Sequence, residues 1–434
     1  MRVLGVILVV AACLLPLVWL PGIAVGRDVL ALFSQYIGLV ALITMAFAQI
    51  IATRWPGVEA VFGPMDQSYR LHKWLGITGL VTVLVHDTID AEMRGLGQET
   101  ALVEAAETLG EISLYGLLIL VVITVATFIP YHLWKWTHRL IGVFFVMGAL
   151  HYIFILKPFA NGDPLGLYML AICLVGTVAY IWTSAPRNMR PARSYVVSKL
   201  TREGNALAID MTPDGAPLTH RAGQFAFFAF NGAGLTEPHP FTISSPPQVD
   251  GSLRVTVAPL GDFTGRVIDR MAVGQSVSVQ GPFGHFGRGA PKAQVWVAAG
   301  VGVTPFVALA GDLAPDAPAV TMIYAVRNHE DAAHLSELEA LAEAKPNLTI
   351  ELWESKERGR LGAQQVAEIA GDSIRGARVS FCGPVEMRTA LGDGLRRYGV
   401  AQKDFHYEAF EIRTGIGLKT LANWLWARRP ASVS

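Results

Sequence analysis

The sequence predicts a multi-domain membrane protein: a six-helix transmembrane bundle, then an antiparallel β-barrel, then an α/β nucleotide-binding domain. Three observations carry this prediction. Long apolar runs dominate up to about residue 185 and stop there. Short alternating strands separated by Gly and Pro follow, up to about residue 290. From residue 294 the order becomes strand, Gly-rich turn, helix, strand, helix, the pattern of a parallel sheet with crossover helices. The expected divisions are 1–184 for the membrane domain, 185–193 for the basic linker "APRNMRPAR", 194–290 for the barrel, 291–412 for the nucleotide domain and 413–434 for a tail.

Six segments reach the roughly 20 residues that a bilayer crossing needs. They cover about 3–24, 29–52, 70–89, 112–130, 138–157 and 165–184. "VAAC" at 10–13 resembles a lipoprotein cleavage box, but the apolar stretch before Cys13 is short and another apolar run follows, which favours a span. Segments 131–139 and 184–193 hold Lys135, Arg139, Arg187, Arg190 and Arg193 and no acid, whereas 87–111 holds seven acidic residues and a single Arg94. By the positive-inside rule the basic segments, both termini and the whole soluble half are cytoplasmic. The lipid bilayer is thus the first expected partner. A net charge of zero argues against nucleic acid as another. Cys13, Cys173 and Cys382 form no Cys-x-x-Cys pair, so no disulfide framework, zinc site or iron–sulfur cluster is expected.

Two histidine pairs interrupt the apolar spans. "LHKWLGITGLVTVLVHDT" (71–88) places His72 and His86 fourteen residues apart, and "THRLIGVFFVMGALHY" (137–152) places His138 and His151 thirteen apart. A polar ring in a membrane span is costly unless something binds it. Both segments run from cytoplasm outward, so His72 and His138 share the inner level and His86 and His151 the outer, about 20 Å apart. That suits two stacked haems, each held by one imidazole from each helix, with Arg70, Lys73 and Arg139 near the inner propionates. The competing reading is isolated histidines bonded to backbone. Thirteen residues leave His151 about 140° from His138 on an ideal helix, so a rotated haem plane or an irregularity near Gly142 or Gly148 is required.

In the soluble half, "EPHPFTISSPP" (237–247) carries more Pro, Ser and Thr than a plain core strand. Its Phe241 and Thr242 suit a flavin, one as an apolar face and the other as a hydrogen-bond partner for a ring nitrogen. "LGDFTGRV" (260–267) opens a helix whose N-terminus, with Gly261 and Thr264, would cradle a pyrophosphate. "GPFG" (281–284) reads as a tight turn. "VWVAAGVGVTPFVALAG" (295–311) is a strand, a glycine turn and a helix. Gly300 and Gly302 would approach a ligand closely, with Thr304 at N-cap and Pro305 at N1. Pro305 stands where the usual G-x-G-x-x-G fingerprint has its third glycine.

Taken together, the histidine pairs and then "HPFTISS", "GDFT", "GPFG", "AGVGVTPF" and "FCGP" in that order resemble the NADPH oxidase and ferric reductase family, bacterial type, over roughly residues 3–410. The resemblance implies two b-type haems on His72, His138, His86 and His151. It implies FAD on His239, Pro240, Phe241, Thr242, Ser244, Ser245, Gly261 and Thr264. It also implies a nicotinamide dinucleotide on Gly300, Gly302, Thr304, Pro305, Cys382, Gly383 and Pro384. Thr242 and Cys382 would lie at the reacting edges, and Phe410 in "FHYEAFEI" (405–412) would stack on the flavin, although the chain runs 24 residues beyond it. Arg327 in "YAVRNHED" and Arg360 in "SKERGRL" would meet a 2′-phosphate, which favours NADPH with NADH still possible. No EF-hand loop is present. The implied activity is electron transfer from cytoplasmic NAD(P)H to a small acceptor outside the bacterial inner membrane, either oxygen or a ferric chelate. The alternative is a cytochrome b-type subunit that reduces a partner protein or quinone.

Overall fold

A computed structural model describes residues 2–55, 57–89, 96–125, 131–185, 191–287 and 292–407. The chain divides near residue 187 into two compact units.

The first unit is helical: α1 (Val3–Leu14), α2 (Leu20–Ile23), α3 (Val29–Ala52), α4 (Val58–Phe62), α5 (Met65–Thr88), α6 (Ala101–Val125), α7 (Tyr131–Arg139), α8 (Ile141–Phe154) and α9 (Pro164–Ser184). Asp28 caps α3 by accepting from the Ala31 N–H at 2.8 Å. The expected 3–24 span is broken after Leu14 by a 3₁₀ turn that includes Pro16. Carbonyls near the end of α1 find partners in two tyrosines: Tyr168 donates to Ala12 O at 2.8 Å and Tyr36 to Cys13 O at 3.1 Å.

Five helical segments among the described residues are long and apolar enough to cross a membrane: Val3–Ile23, Val29–Ala52, Ala101–Thr124, Leu133–Phe154 and Pro164–Ser184. The expected 70–89 span falls in α5, which has the length but is diluted by His72, Lys73, His86 and Asp87. The expected 112–130 span begins earlier, at Ala101, so Glu104, Glu107 and Glu111 belong to a helix and not to a loop. The fifth span is interrupted at Leu140, where i→i+3 bonds (Leu140 N–H to Thr137 O, 3.0 Å; Val143 N–H to Leu140 O, 2.9 Å) tighten the winding. The irregularity demanded by the thirteen-residue spacing thus lies two residues before Gly142.

Small residues bring these helices together. A Cβ on Gly142 would sit 2.0 Å from the Tyr180 ring, and one on Gly176 2.6 Å from Phe145. The core of the unit is Ile43, Ala46, Phe145 and Met169, each fully buried.

The second unit holds two sheets. One is a six-stranded antiparallel sheet of β1 (Arg193–Glu203), β2 (Ala206–Pro213), β3 (Phe225–Phe230), β4 (His239–Thr242), β5 (Leu253–Val257) and β6 (Ser276–Phe283), in the order β4-β3-β6-β1-β2-β5. Its two edge strands meet at one bridge, Ile243 to Val255. Most of the predicted "GPFG" turn is the end of β6, where Phe283 pairs with Phe225. Helix α10 (Asp262–Arg270) follows β5.

The other sheet is parallel: β7 (Gln294–Ala299), β8 (Val320–Val326), β9 (Leu348–Glu354), β10 (Arg378–Cys382) and β11 (Phe405–Tyr407), in the order β11-β10-β7-β8-β9. Helices α11 (Thr304–Gly311), α12 (Leu335–Ala344), α13 (Ser355–Arg358), α14 (Ala363–Ala370) and α15 (Val385–Gly394) connect its strands. Apolar side chains fill both faces, Trp296 and Phe306 on one and Val297 and Phe381 on the other. This is what a buried parallel sheet requires.

Gly166, in the first turn of α9, leaves no room for a side chain: a Cβ would meet Ala160 O at 2.2 Å and the Asn161 backbone at 2.7 Å. Gly166→Ala is therefore expected to cost about 1–3 kcal/mol, read as a lower melting temperature of the detergent-solubilised protein. An unchanged melting temperature would mean the 156–163 loop yields freely.

Candidate functional site: paired imidazoles and a dinucleotide face

All four predicted histidines are tethered through Nδ1 to a neighbouring antiparallel helix. His72 Nδ1 bonds Ala48 O at 2.9 Å and His86 Nδ1 bonds Ser34 O at 2.9 Å, both on α3. His151 Nδ1 bonds Ala106 O at 2.8 Å and His138 Nδ1 bonds Thr124 Oγ1 at 3.2 Å, both on α6. A carbonyl can only accept, so three of these rings carry their proton on Nδ1. Thr124 donates its own proton to Leu120 O at 2.7 Å, which leaves its oxygen to accept from His138. In the neutral form of each ring Nε2 is then the nitrogen with a lone pair, and no hydrogen bond engages Nε2 among the described residues.

The structure brings the inner rings close together. His72 and His138 lie with centroids 6.1 Å apart, and His86 is an electrostatic neighbour of His151. A metal held at roughly 2 Å from each imidazole nitrogen needs ring centroids roughly 6 Å apart. The centroid separation of the inner pair matches that spacing. No group of three or more His, Cys, Asp or Glu converges for a metal among the described residues. Two opposed imidazoles are the donor set suited to an iron that a porphyrin already holds.

Sequence reasoning missed several parts of this arrangement. Trp134 stacks on His138 (5.1 Å, 20°) and Tyr69 stands edge-on to His72 (6.0 Å). Arg54 donates to Tyr69 Oη at 3.1 Å. Gly38 and Gly110 lie against the outer rings, where a Cβ would reach His86 Nδ1 at 3.3 Å and His151 Nδ1 at 2.7 Å. Their signal was legible: glycines inside apolar spans mark close approach. Lys73 is half-buried, whereas Arg70 and Arg139 are exposed.

In the second unit, "HPFT" and "GDFT" come together. The His239 ring stacks on Phe263 at 3.5 Å with planes 10° apart. His239, Pro240, Phe241 and Thr242 pair along β3 with Phe228, Phe227, Ala226 and Phe225. Thr242, Ser244 and Ser245 are buried. The Thr264 hydroxyl is committed to its own loop, accepting from Leu260 and Gly261 N–H (2.9 and 3.0 Å) and donating to Gly261 O. Thr264 thus shapes the α10 entrance, and a Cβ on Gly261 would meet open space.

The glycine turn after β7 is a 3₁₀ segment, Gly300–Val303, running straight into α11. This corrects two expected positions. Val303 is the N-cap residue, Thr304 stands at N1 and Pro305 at N2, and Thr304 donates back to Val301 O at 3.1 Å. Gly300 has φ +54° with open space where a Cβ would stand, as a ligand-facing turn needs. Gly302 is pressed instead against the "FCGP" loop: a Cβ there would stand 2.2 Å from Cys382 O, so this glycine joins two motifs. Cys382 is buried and Gly383 and Pro384 are exposed.

Arg327 follows β8 and is exposed, and its carbonyl accepts from Lys356 N–H at 3.1 Å, which places it beside α13. Arg358 is committed to Glu351 (2.6 Å) and the Trp353 ring (3.9 Å). Lys356 and Arg360 are exposed as well, Arg360 two residues after α13. Phe410 lies outside the described residues, as do part of the linker and the whole 413–434 tail.

A polar seam ties the two sheets. His334 is buried with φ +58°; its Nε2 meets Thr256 Oγ1 at 2.8 Å and its Nδ1 meets Glu337 at 3.3 Å. Thr256 contacts Ser244 Oγ at 3.0 Å, and Arg254 bonds both Ser244 O and Glu337 at 2.9 Å.

Comparison with known proteins assigns a domain type to each part of the chain. Residues 37–149 match the ferric reductase like transmembrane component, 192–294 an FAD-binding domain and 296–392 an oxidoreductase NAD-binding domain. The three domains in this order match a ferric reductase/NADPH oxidase-type fusion and support an NAD(P)H-dependent oxidoreductase. It is similar to ferric reduction oxidase 7 of Arabidopsis thaliana (24% identity, 70% of this chain and 44% of the relative). It is also similar to a flavohemoprotein of Chromobacterium violaceum (27%, 54% of this chain and 64% of the relative). Among solved structures, the FAD/NAD-binding domain of nitric oxide dioxygenase from Vibrio cholerae aligns with 51% of this chain and 99% of its own (23% identity, TM-score 0.46). The chain spans less than two thirds of the length of both curated relatives.

Burial would raise the Glu337 carboxyl, but hydrogen bonds from His334 and Arg254 outweigh it and hold it at about 2. A depressed carboxyl contributes stability above its ordinary value near 4.5, and that stability fades as pH falls toward about 2. Glu337→Gln should lower the urea midpoint of the second unit at pH 7 and flatten its decline between pH 5 and pH 3. An identical midpoint and pH profile would show that the seam contributes nothing.

Proposed function

We propose that this chain carries electrons across a bilayer, from NAD(P)H bound by the second unit to a small acceptor at the opposite face. The acceptor is oxygen, giving superoxide, or a ferric chelate. The observation that supports it most is the set of four imidazoles, each tethered through Nδ1 with Nε2 as the lone-pair nitrogen of the neutral ring, in two pairs within a ferric reductase-like helical unit. When bound, FAD would split a hydride into single electrons and b-type haems would carry them onward.

The chain's residues supply order and insulation. His72 and His138 would hold the inner haem and His86 and His151 the outer, each oriented by its Nδ1 tether. Lys73, with Arg54, Arg70 and Arg139, would balance inner propionates. The Phe241 ring and the Thr242 hydroxyl would seat the flavin, and the amides that begin at Gly300 would face the dinucleotide's pyrophosphate. Arg327 and Arg360 would receive a 2′-phosphate, with Lys356 beside them. The basic segments 131–139 and 184–193 favour a cytoplasmic soluble half in a bacterial inner membrane.

The test is purified protein in detergent, supplied with haem and FAD, followed for NADPH oxidation in air with and without a ferric chelate. Fast turnover that iron leaves unchanged, with superoxide formed, means an oxidase. Slow turnover that iron accelerates, also without oxygen, means a ferric reductase. Reduced haems that neither acceptor drains would overturn both in favour of a partner protein or quinone. His72→Ala should lower haem content from two per chain toward one; an unchanged content would remove His72 as a ligand. Arg327→Ala and Arg360→Ala should each raise the KM for NADPH roughly 10-fold or more, the loss of one charge-assisted contact, while sparing NADH. Equal effects on both nucleotides would place the 2′-phosphate elsewhere.

A further inference from the structure

Three of the four imidazole tethers end on backbone carbonyls that no substitution removes: Ala48 O, Ser34 O and Ala106 O. The fourth ends on a side chain. Thr124, near the end of α6, offers His138 its hydroxyl oxygen at 3.2 Å, the longest of the four contacts. No other acceptor reaches His138 Nδ1 among the described residues. Ser34 also places a hydroxyl 2.9 Å from His86, but there a carbonyl shares the task.

We propose that Thr124 is a positioning residue that sets the strength and orientation of His138 as a haem ligand. This rests on the proposed haem ligation and extends it to a residue with no metal contact of its own. The direction of each bond is fixed by proton inventory. The Thr124 proton goes to Leu120 O at 2.7 Å, so its oxygen is an acceptor toward His138. Accepting from Nδ1–H holds the tautomer that frees Nε2 and makes the ring a stronger donor to iron. His138 gains a second constraint from the Trp134 ring stacked on it, which limits tilt but offers no acceptor for the N–H. His138 also belongs to α7, cut from α8 by the break at Leu140, so the helix carrying His151 does not hold it rigidly.

Thr124→Val keeps the shape and removes the acceptor. It should weaken haem retention at one site by roughly 10–100-fold, the usual cost of losing an outer-shell partner of a metal-bound histidine. It should also move the midpoint potential of one of two haems to a more positive value and alter that haem's low-spin EPR signal. Thr124→Ser should restore all three. Thr82→Val removes a hydroxyl with the same kind of helix-internal bond (to Thr78 O, 2.8 Å) and serves as control. His138→Ala marks the effect of full ligand loss. If wild type takes up two haems and Thr124→Val matches it in retention, potential and EPR, the positioning role is refuted while the ligation stands. If wild type takes up no haem, or His138→Ala retains two, the ligation itself fails.

Discussion

A polar ring inside an apolar helix must do something with its N–H, and here that requirement organises the first unit. Each imidazole donates to a helix running the opposite way, so α5 is bound to α3 and the α7–α8 pair to α6 at two depths apiece. A helix carbonyl that already accepts within its own ladder has a second lone pair to give, so the tethers do not unwind their hosts. In a bilayer, where no water competes, such bonds fix rotation and height together. The glycines follow from the same constraint: Gly38 and Gly110 let the bracing helices come close enough for the bonds to form.

The second unit solves its own polar problem differently. Its flavin motif and nucleotide motif stand on separate sheets, and the seam of Ser244, Thr256, His334, Glu337 and Arg254 joins them through polar contacts. Apolar packing would tolerate sliding. A chain of directional bonds with a carboxylate at its end specifies one relative placement.

Much of this was legible in the sequence because the signals were periodic or punctuated. "LRVTVAPL" and "QSVSVQGPFG" alternate and became β5 and β6; the 29–52 apolar run became α3 to the residue. The proximity of His72 and His138 follows from spacing and direction. What was hidden lay in contacts far apart in sequence or in competition between similar signals. Nothing near Thr124 announces its partner fourteen residues on. The "ALVEAAETLGEI" segment reads as acidic loop by charge and as helix by period, and the period prevailed. Thr304 resembles a cap only if the helix starts there, and the 3₁₀ turn over Gly300–Val303 moves that start. Gly302 looked like a ligand contact because backbone packing against Cys382 uses the same residue for the same steric reason.

The tethering has a consequence for protons. Histidines inside membranes often serve as proton carriers, taking a proton on one nitrogen and releasing it from the other. A ring whose Nδ1–H points at a carbonyl cannot pass that proton onward, since an amide oxygen will not keep it. Were Nε2 to bind iron, neither nitrogen would be left to exchange. Under the proposed function the helical unit would conduct electrons while the three carbonyl-tethered rings pass no proton, so electron transfer would carry negative charge outward unless protons follow by another route. Against an inside-negative potential that movement runs downhill, by roughly 2.3 kcal/mol per electron for each 100 mV. The bundle would then work as a membrane depolariser, and the cell's resting voltage would help drive the reduction outside.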